Sequence, residues 1–497
     1  MQEKYIIGID QSTQGTKALL FGGDGRLIHR ADLGHEQIVN EYGWVSHNPE
    51  EIYNNVIEVV RKLITESKIN TDAIVGIGIS NQRETSVAWN RKTGKSVGYA
   101  IVWQCARAKE LCARIEATGI GEAVREKTGI PISPYFPAAK FAWLLENQKE
   151  AKQLAEQGEL CLGTMDSYLV FRLTGGEHFQ TDYSNASRTQ LFNLHTLTWD
   201  EEICGWYGID QMCLPTVTDS NGDYGQTDFE HLLKHKVPIH GVLGDSHGAL
   251  FGQGCHLTGM VKSTYGTGSS IMMNIGEKPV ISEHGVVTSL AWGISGKVNY
   301  VLEGNINYTG AVITWLQSDL QIIGSAKDTE QLAIEANQND QTYLVPAFSG
   351  LGAPYWDNEA TAAISGMSRT TGKKEIVKAA LECIAYQITD ILEAMSQDAR
   401  VQIAELRVDG APTGNQYLMQ FQSDIAGIPV QVPDVEELSG IGAAYMAGIA
   451  LGVFQQESLF SQMNRKQYMP VMSREQRNAK YAGWKAAVGK VLTSNRN

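Results

Sequence analysis

The sequence is poor in several features that would announce a function, and each lack narrows the choice. Lysine and arginine number only 41 against 55 aspartates and glutamates, a formal charge of −14 and a pI near 5.3. That balance argues against a nucleic-acid partner, which needs concentrated cations along the phosphate backbone. No apolar run approaches the roughly 18 residues of a membrane span. The opening MQEKYIIGID goes straight into a strand, with no basic region, apolar core or small-residue cleavage site. Seven cysteines, odd in number and free of any CxxC pair, exclude a disulfide framework or zinc site and predict reduced thiols in the cytoplasm. No Walker sequence GxxxxGK[ST] occurs, and neither of the two Gly-rich turns described below opens a helix as a GxGxxG dinucleotide motif must.

What is present is a 497-residue chain, 43% hydrophobic and 19% charged, with 50 glycines. This is longer than one core supports, so two domains of roughly 200 to 250 residues are expected. Residues 8–21, GIDQSTQGTKALLF, read as a strand, a polar tight turn and a strand, with Asp10 where the first run ends. Such a hairpin offers backbone N–H groups and hydroxyls to phosphate oxygens. Lys17 adds a mobile positive charge, and the Asp10 carboxylate makes most sense beside it as a holder of hydrated magnesium. Residues 260–275, MVKSTYGTGSSIMMNI, repeat the design. Two facing phosphate hairpins imply a duplicated fold with a nucleotide clamped between halves. The glycine-rich 252–259 zone places the boundary, giving domains 1–252 and 253–497.

The first half is expected to carry strands near 4–10, 16–21, 26–32 and 73–80, with helices over 49–65, 104–117, 137–157 and 164–173. The second is expected to carry strands over 260–275, 284–292 and 298–303, and helices over 305–317, 373–397, 414–426 and 474–492, with residues 446–451 in the last apolar core helix and 305–343 as a small helical cap. Strand–helix alternation points to α/β architecture.

Three groups carry possible chemistry. Asp245, in VLGDSHGALFG, follows an apolar strand and precedes a small-residue helix, as either a cleft base or a helix cap. Arg83 and Glu84 end the 73–80 strand, as either a polyol-binding donor and acceptor or a solvated ion pair. In VDGAPTGNQYLMQF, Asp409 and Gly410 end a strand and Asn415 starts a helix. A nucleotide can dock there, but a plain strand–turn–helix shows the same residues.

These motifs together resemble the FGGY family of carbohydrate kinases, and within it the glycerol-kinase branch. The likeness is carried by YFPAAKFAWLLEN (135–147, with Lys140 and Trp143 in place), residues 362–382, NQRETSVAW (81–89), AIVWQCAR (100–107), TDYSNASRTQLFNLHTLTWD (181–200) and LVPAFSGLGAPYWD (344–357). The resemblance implies duplicated actin/hexokinase/Hsp70-like (ribonuclease H-like) α/β domains around a central ATP cleft. It implies ATP- and Mg2+-dependent phosphorylation of a small polyol's terminal hydroxyl, glycerol by default. It carries Asp245 over as general base and, with Asp10, as metal holder. Arg83, Glu84, Trp103, Tyr135, Ser246 and Ser270 fall at acceptor positions, and Thr13, Gln14, Lys17, Gly266, Thr267, Gly310, Gly410, Ala411 and Asn415 at nucleotide positions. A small polyol or sugar as partner, no nucleic acid, no membrane insertion and a homo-oligomer complete the expectation.

Three departures stand out. Ser246 replaces a glutamine, Ser270 a phenylalanine and Ala411 a glycine. The two serines would leave room for a four- or five-carbon polyol or ketose, with His247 near an added hydroxyl or simply packed; losing an aromatic wall removes about 2 kcal/mol of apolar contact. A non-catalytic ATPase or assembly protein on the same fold is a rival that has no use for an acceptor site of Arg83, Glu84, Trp103, Tyr135 and Asp245, and a sensor that lost catalysis is disfavoured by the intact Asp10 and Asp245.

Overall fold

Both expected hairpins form, and each begins a sheet built on the same plan. In the computed structural model, which describes residues 3–493, β1 (Tyr5–Gln11), β2 (Gly15–Gly22) and β3 (Leu27–Gly34) make an antiparallel meander. β4 (Ile74–Asn81) and β5 (Val237–Gly244) continue the sheet in parallel beyond β1. In the second half β6 (Val261–Tyr265), β7 (Ser269–Gly276) and β8 (Lys297–Ile306) repeat the meander. β9 (Leu406–Asp409) and β10 (Val430–Pro433) repeat the parallel extension. The shared order makes this a duplicated, ribonuclease H-like α/β fold. Met1 and Gln2 of the opening run, and residues 494–497, lie outside the described residues.

Local sequence explains the helices. α1 (Pro49–Ser67) starts where the Asn48 side chain accepts a hydrogen bond from the Glu50 N–H at 3.1 Å, with proline in the first turn. It buries Ile52, Val56, Val59, Val60 and Leu63 at helical spacing against the first sheet, each worth about 1.5–3 kcal/mol in transfer free energy before entropy is subtracted. The expected helix over 137–157 is two. α2 (Pro137–Asn147) stops at Gln148, whose extended backbone lets the following helix, Lys149–Glu156, turn its own Ala151 and Leu154 onto the core that receives Phe141 and Leu144. The helix expected from 104 begins at Lys109, because residues 102–108 are taken up by turns that lay Arg107 on the Trp44 and Trp143 rings. The helix expected from 305 begins at Gly310, since β8 keeps pairing with β7 as far as Ile306.

Two helices cross between the sheets: α3 (Asp245–Gly252) after β5, and, following α4 (Lys373–Ala399) and α5 (Gln416–Ala426), α6 (Leu438–Ala450) after β10. Their crossing is main chain on main chain, for a Cβ at Gly442 would stand 1.9 Å from the Gly248 carbonyl oxygen. Around it Leu19 and Phe21 of the first sheet join Met272 and Val301 of the second in one apolar cluster. Among the described residues, no helix is long and apolar enough to cross a membrane.

Candidate active site

The parallel strands fix the site. β1, β4 and β5 end in register, Gln11 beside Asn81 and Asn81 beside Gly244. Asp10, the Arg83–Glu84 pair and Asp245 therefore emerge together at the carboxyl ends of three adjacent strands, where α/β sheets bind ligands. Asp245 opens α3, and its Oδ1 accepts hydrogen bonds from the Ser246 N–H at 2.6 Å and from Arg83 Nε at 3.1 Å. Both fall on one oxygen, which leaves Oδ2 to receive a proton from a ligand.

Arg83 and Glu84 are not a solvated pair. Arg83 donates from both terminal nitrogens to Glu303, Nη1 to Oε2 at 2.8 Å and Nη2 to Oε1 at 2.9 Å. Glu84 accepts from Arg188 Nε at 2.6 Å, and Arg188 Nη1 lies 3.1 Å from Glu303 Oε2 at an angle that makes no hydrogen bond. The result is a chain of alternating charge, Asp245, Arg83, Glu303, Arg188, Glu84, whose last four members are buried. Burial alone would raise the Glu303 carboxyl, but Arg188 and Arg83 hold it well below the usual carboxylate range. Burial opposes the Arg83 charge, and Glu303 and Glu84 outweigh it. Glu84 also sits at φ +56°, a left-handed conformation that a non-glycine residue keeps only when its surroundings enforce it.

Trp103 and Tyr135 stand side by side with ring centroids 5.6 Å apart, and the Trp103 indole donates to Thr13 Oγ1 at 2.9 Å, joining these two rings to the first hairpin. Lys140 of α2 donates to the backbone carbonyls of Trp103 and Tyr135. Ser270 pairs with Asn305, two residues beyond Glu303 on β8, so the two side chains share the cleft face of the second sheet. Ser246 is half-buried at the start of α3. His247 is fully buried with no partner on Nδ1, and burial and Arg83 hold its imidazole far below the ordinary range.

On the nucleotide side, the second turn packs beneath the helix that follows β8: the Gly310 N–H bonds the Gly266 carbonyl at 2.9 Å and the Ala311 N–H bonds the Thr267 carbonyl at 3.0 Å. Gly410, at φ +98°, lies so close to Tyr265 that a Cβ would meet its carbonyl oxygen at 2.0 Å. Asn415 caps α5 through Leu418 N–H. A cavity of about 560 Å3 opens here, lined by Thr309, Gly310, Lys327, Leu381, Ala411 and Asn415 among others.

In the first hairpin, Thr13 and Gln14 occupy the turn between β1 and β2. Lys17 is a correction to expectation. It is not a free, mobile charge but is ion-paired to Glu437, which also accepts from Arg30 Nη1 at 2.7 Å. Asp10 lies deep, its carboxyl pushed up to about 6 by burial, with Lys17 opposing and Glu437 and Asp245 reinforcing the rise. Its Oδ1 is buried without a hydrogen-bond partner. An orphaned carboxylate oxygen is what a cation ligand requires. Among the described residues no group of three or more His, Cys, Asp and Glu gathers to hold a metal; magnesium is ordinarily bound by one or two carboxylates together with phosphate oxygens and water.

Glu303 and Arg188 were not singled out by sequence reasoning, although both are central to this site. Glu303 was legible as the one charge inside the apolar run NYVLEGNI, whereas Arg188 follows a short helix and carries no periodic signal.

Residues 5–252 match the FGGY family of carbohydrate kinases, N-terminal domain, and residues 261–451 its C-terminal domain. The chain is 47% identical over 491 residues to glycerol kinase 1 of Thermotoga maritima, covering 98% of this chain and 100% of the relative. It is 45% identical over 494 residues to a glycerol kinase of Desulforamulus reducens, covering 99% of each. Among solved structures, Plasmodium falciparum glycerol kinase with ADP superposes with a TM-score of 0.93 at 34% identity over 98% of both chains. A Lactobacillus acidophilus xylulose kinase shares the fold, with a TM-score of 0.88 at 22% identity over 98% of both chains.

Proposed function

Given that the chain belongs to the FGGY family of carbohydrate kinases, we propose that it transfers the terminal phosphoryl group of ATP to a terminal hydroxyl of glycerol, giving glycerol 3-phosphate and ADP. The observation that carries this reading is the Asp245 carboxylate, steadied on one oxygen by Arg83 and open on the other. The acceptor hydroxyl hydrogen-bonds to Asp245 Oδ2. Its oxygen attacks the γ-phosphorus as Asp245 takes the proton, and the bond to the bridging oxygen breaks with its electron pair leaving on ADP. Arg83 donates to a further hydroxyl and Glu84 accepts from one, while the Trp103 and Tyr135 rings cover the carbon chain. Thr13, Gln14, Gly266 and Thr267 hold phosphate oxygens through the two hairpin turns, and Gly310, Gly410, Ala411 and Asn415 receive the adenosine. Lys17 reaches phosphate by leaving Glu437. Asp10, with Asp245, would hold the magnesium ion, which supplies charge neutralisation for the phosphate oxygens when bound.

Glycerol is favoured over a four- or five-carbon acceptor because the 43–47% identities are to glycerol kinases over nearly the full chain, whereas the xylulose and gluconate kinases reach only 22%. Free cysteines that are all buried, together with a need for ATP, support a cytoplasmic enzyme, and we assign it a homo-oligomeric state to be read by light scattering. The test of function is ADP release with glycerol, erythritol, xylitol, xylulose and dihydroxyacetone. Turnover well above background with glycerol is expected, and equal background with every compound overturns the assignment.

A further inference from the structure

Lys140 is completely buried on α2, near the helix start, where the dipole disfavours a cation. Its ammonium forms no bond to a carboxylate; the Glu84 carboxylate, the acid facing it, is bonded to Arg188. Instead Nζ donates to three backbone carbonyls: Tyr135 at short range, Trp103 at 3.1 Å and Glu84 at 3.5 Å. These lie on three segments well separated in sequence, and they are three of the five residues, with Arg83 and Asp245, that the proposed function assigns to binding the acceptor. A buried charge placed so badly for stability, with all three N–H donors spent on these carbonyls, is costly unless the alignment is what it serves.

We infer that Lys140 is a positioning residue that sets the acceptor pocket, its ammonium pinning the main chain at Glu84, Trp103 and Tyr135 so that one carboxylate and two rings meet the acceptor in fixed register. Pinning the Glu84 carbonyl also restrains a residue already in a left-handed conformation. The geometry explains why a lysine rather than an arginine stands here: three carbonyls converging from different directions suit a compact tetrahedral ammonium, not a planar fork. Burial pushes Lys140 down to about 7, opposed by Glu84, with the Cys105 and Cys112 thiols and the Arg107 guanidinium also facing it. Loss of its proton leaves one carbonyl opposite a lone pair, so pocket alignment weakens as pH rises past neutrality.

The inference rests on the acceptor reading, and the test separates the two. Lys140→Met should raise KM for glycerol at least about tenfold while KM for ATP stays within about twofold, since small misplacements of binding groups fall on the ligand they hold. Lys140→Arg should recover part of the loss. In the wild type, KM for glycerol should climb between pH 7 and 9, and that climb should vanish in Lys140→Met. Should Lys140→Met be recovered unfolded, Lys140→Gln, which keeps two N–H donors, decides by the same readout. A glycerol KM within twofold of wild type in the folded variant, or equal rises for glycerol and ATP, overturns the inference. Trp103→Leu and Tyr135→Leu, run alongside, isolate the cause. If they raise KM for glycerol while the Lys140 variant does not, only the role of Lys140 falls; if none of the variants moves it, the acceptor reading falls as well.

Discussion

At the acceptor end of the cleft the buried side chains of Arg83, Glu303, Arg188 and Glu84 answer one another in alternating charge, and the buried Lys140 ammonium is held by main-chain carbonyls. The nucleotide end is lined by turns, helix starts and small residues around a cavity of about 560 Å3. The first arrangement is rigid and particular, because a buried ion loses several kcal/mol when its partner is removed. The second depends on main-chain groups that survive most side-chain changes. On the proposed function, selectivity for the acceptor rests on a few irreplaceable side chains, and nucleotide binding on the shape of the backbone.

Substitutions at the two ends should differ accordingly. Asp245→Asn removes the proposed proton acceptor and should lower kcat by about 10²–10⁴ while calorimetric binding of ADP without magnesium stays unchanged; full turnover would remove the base. Glu303→Leu removes the carboxylate shared by Arg83 and Arg188, leaving them only Asp245 and Glu84, and should cost about 3–5 kcal/mol in urea unfolding. A loss below about 1 kcal/mol would mean the charge chain is not a structural unit. Acidification should act through Asp10. Its folded pKa, about 6, lies above the ordinary carboxylate value, so its neutral form stabilises the ligand-free protein fully below about pH 4 and that contribution disappears as pH rises through 6. Magnesium needs the ionised form, so affinity for MgATP should fall as pH drops below 6, by up to about tenfold per unit. Both trends should be missing in Asp10→Asn, compared by thermal melts and ATP titrations. The smallest effect belongs to Ala411→Gly at the mouth of the nucleotide cavity, where KM for ATP should fall by less than about threefold. A tenfold change there would show that side chains govern this end too.

Much of the fold was legible because it is local. Alternating and continuous apolar runs marked both hairpins, and Asn48-Pro49 marked α1. The break at Gln148 was not legible, since nothing in AWLLENQKEAKQLAE forbids a continuous helix; the chain bends there so that two amphipathic faces reach one core. Within the site, Asp245 was visible from the strand that precedes it. Its partners were less so. Glu303 lies 220 residues from Arg83 and Glu437 420 from Lys17, and no short-range pattern encodes pairings that exist only once two domains meet.

The glycine contact between α3 and α6 has a mechanical meaning. Where two helices touch through glycines, no side chain stands between their backbones, so α3 and α6 cross at closer range than larger residues would permit, with Leu250, Phe251, Leu438 and Ile441 sealing the crossing from water. The Arg83–Glu303 bridge and the Lys17–Glu437 pair tie the same two halves elsewhere, so any larger residue at Gly248 or Gly442 would force the sheets apart against both ties.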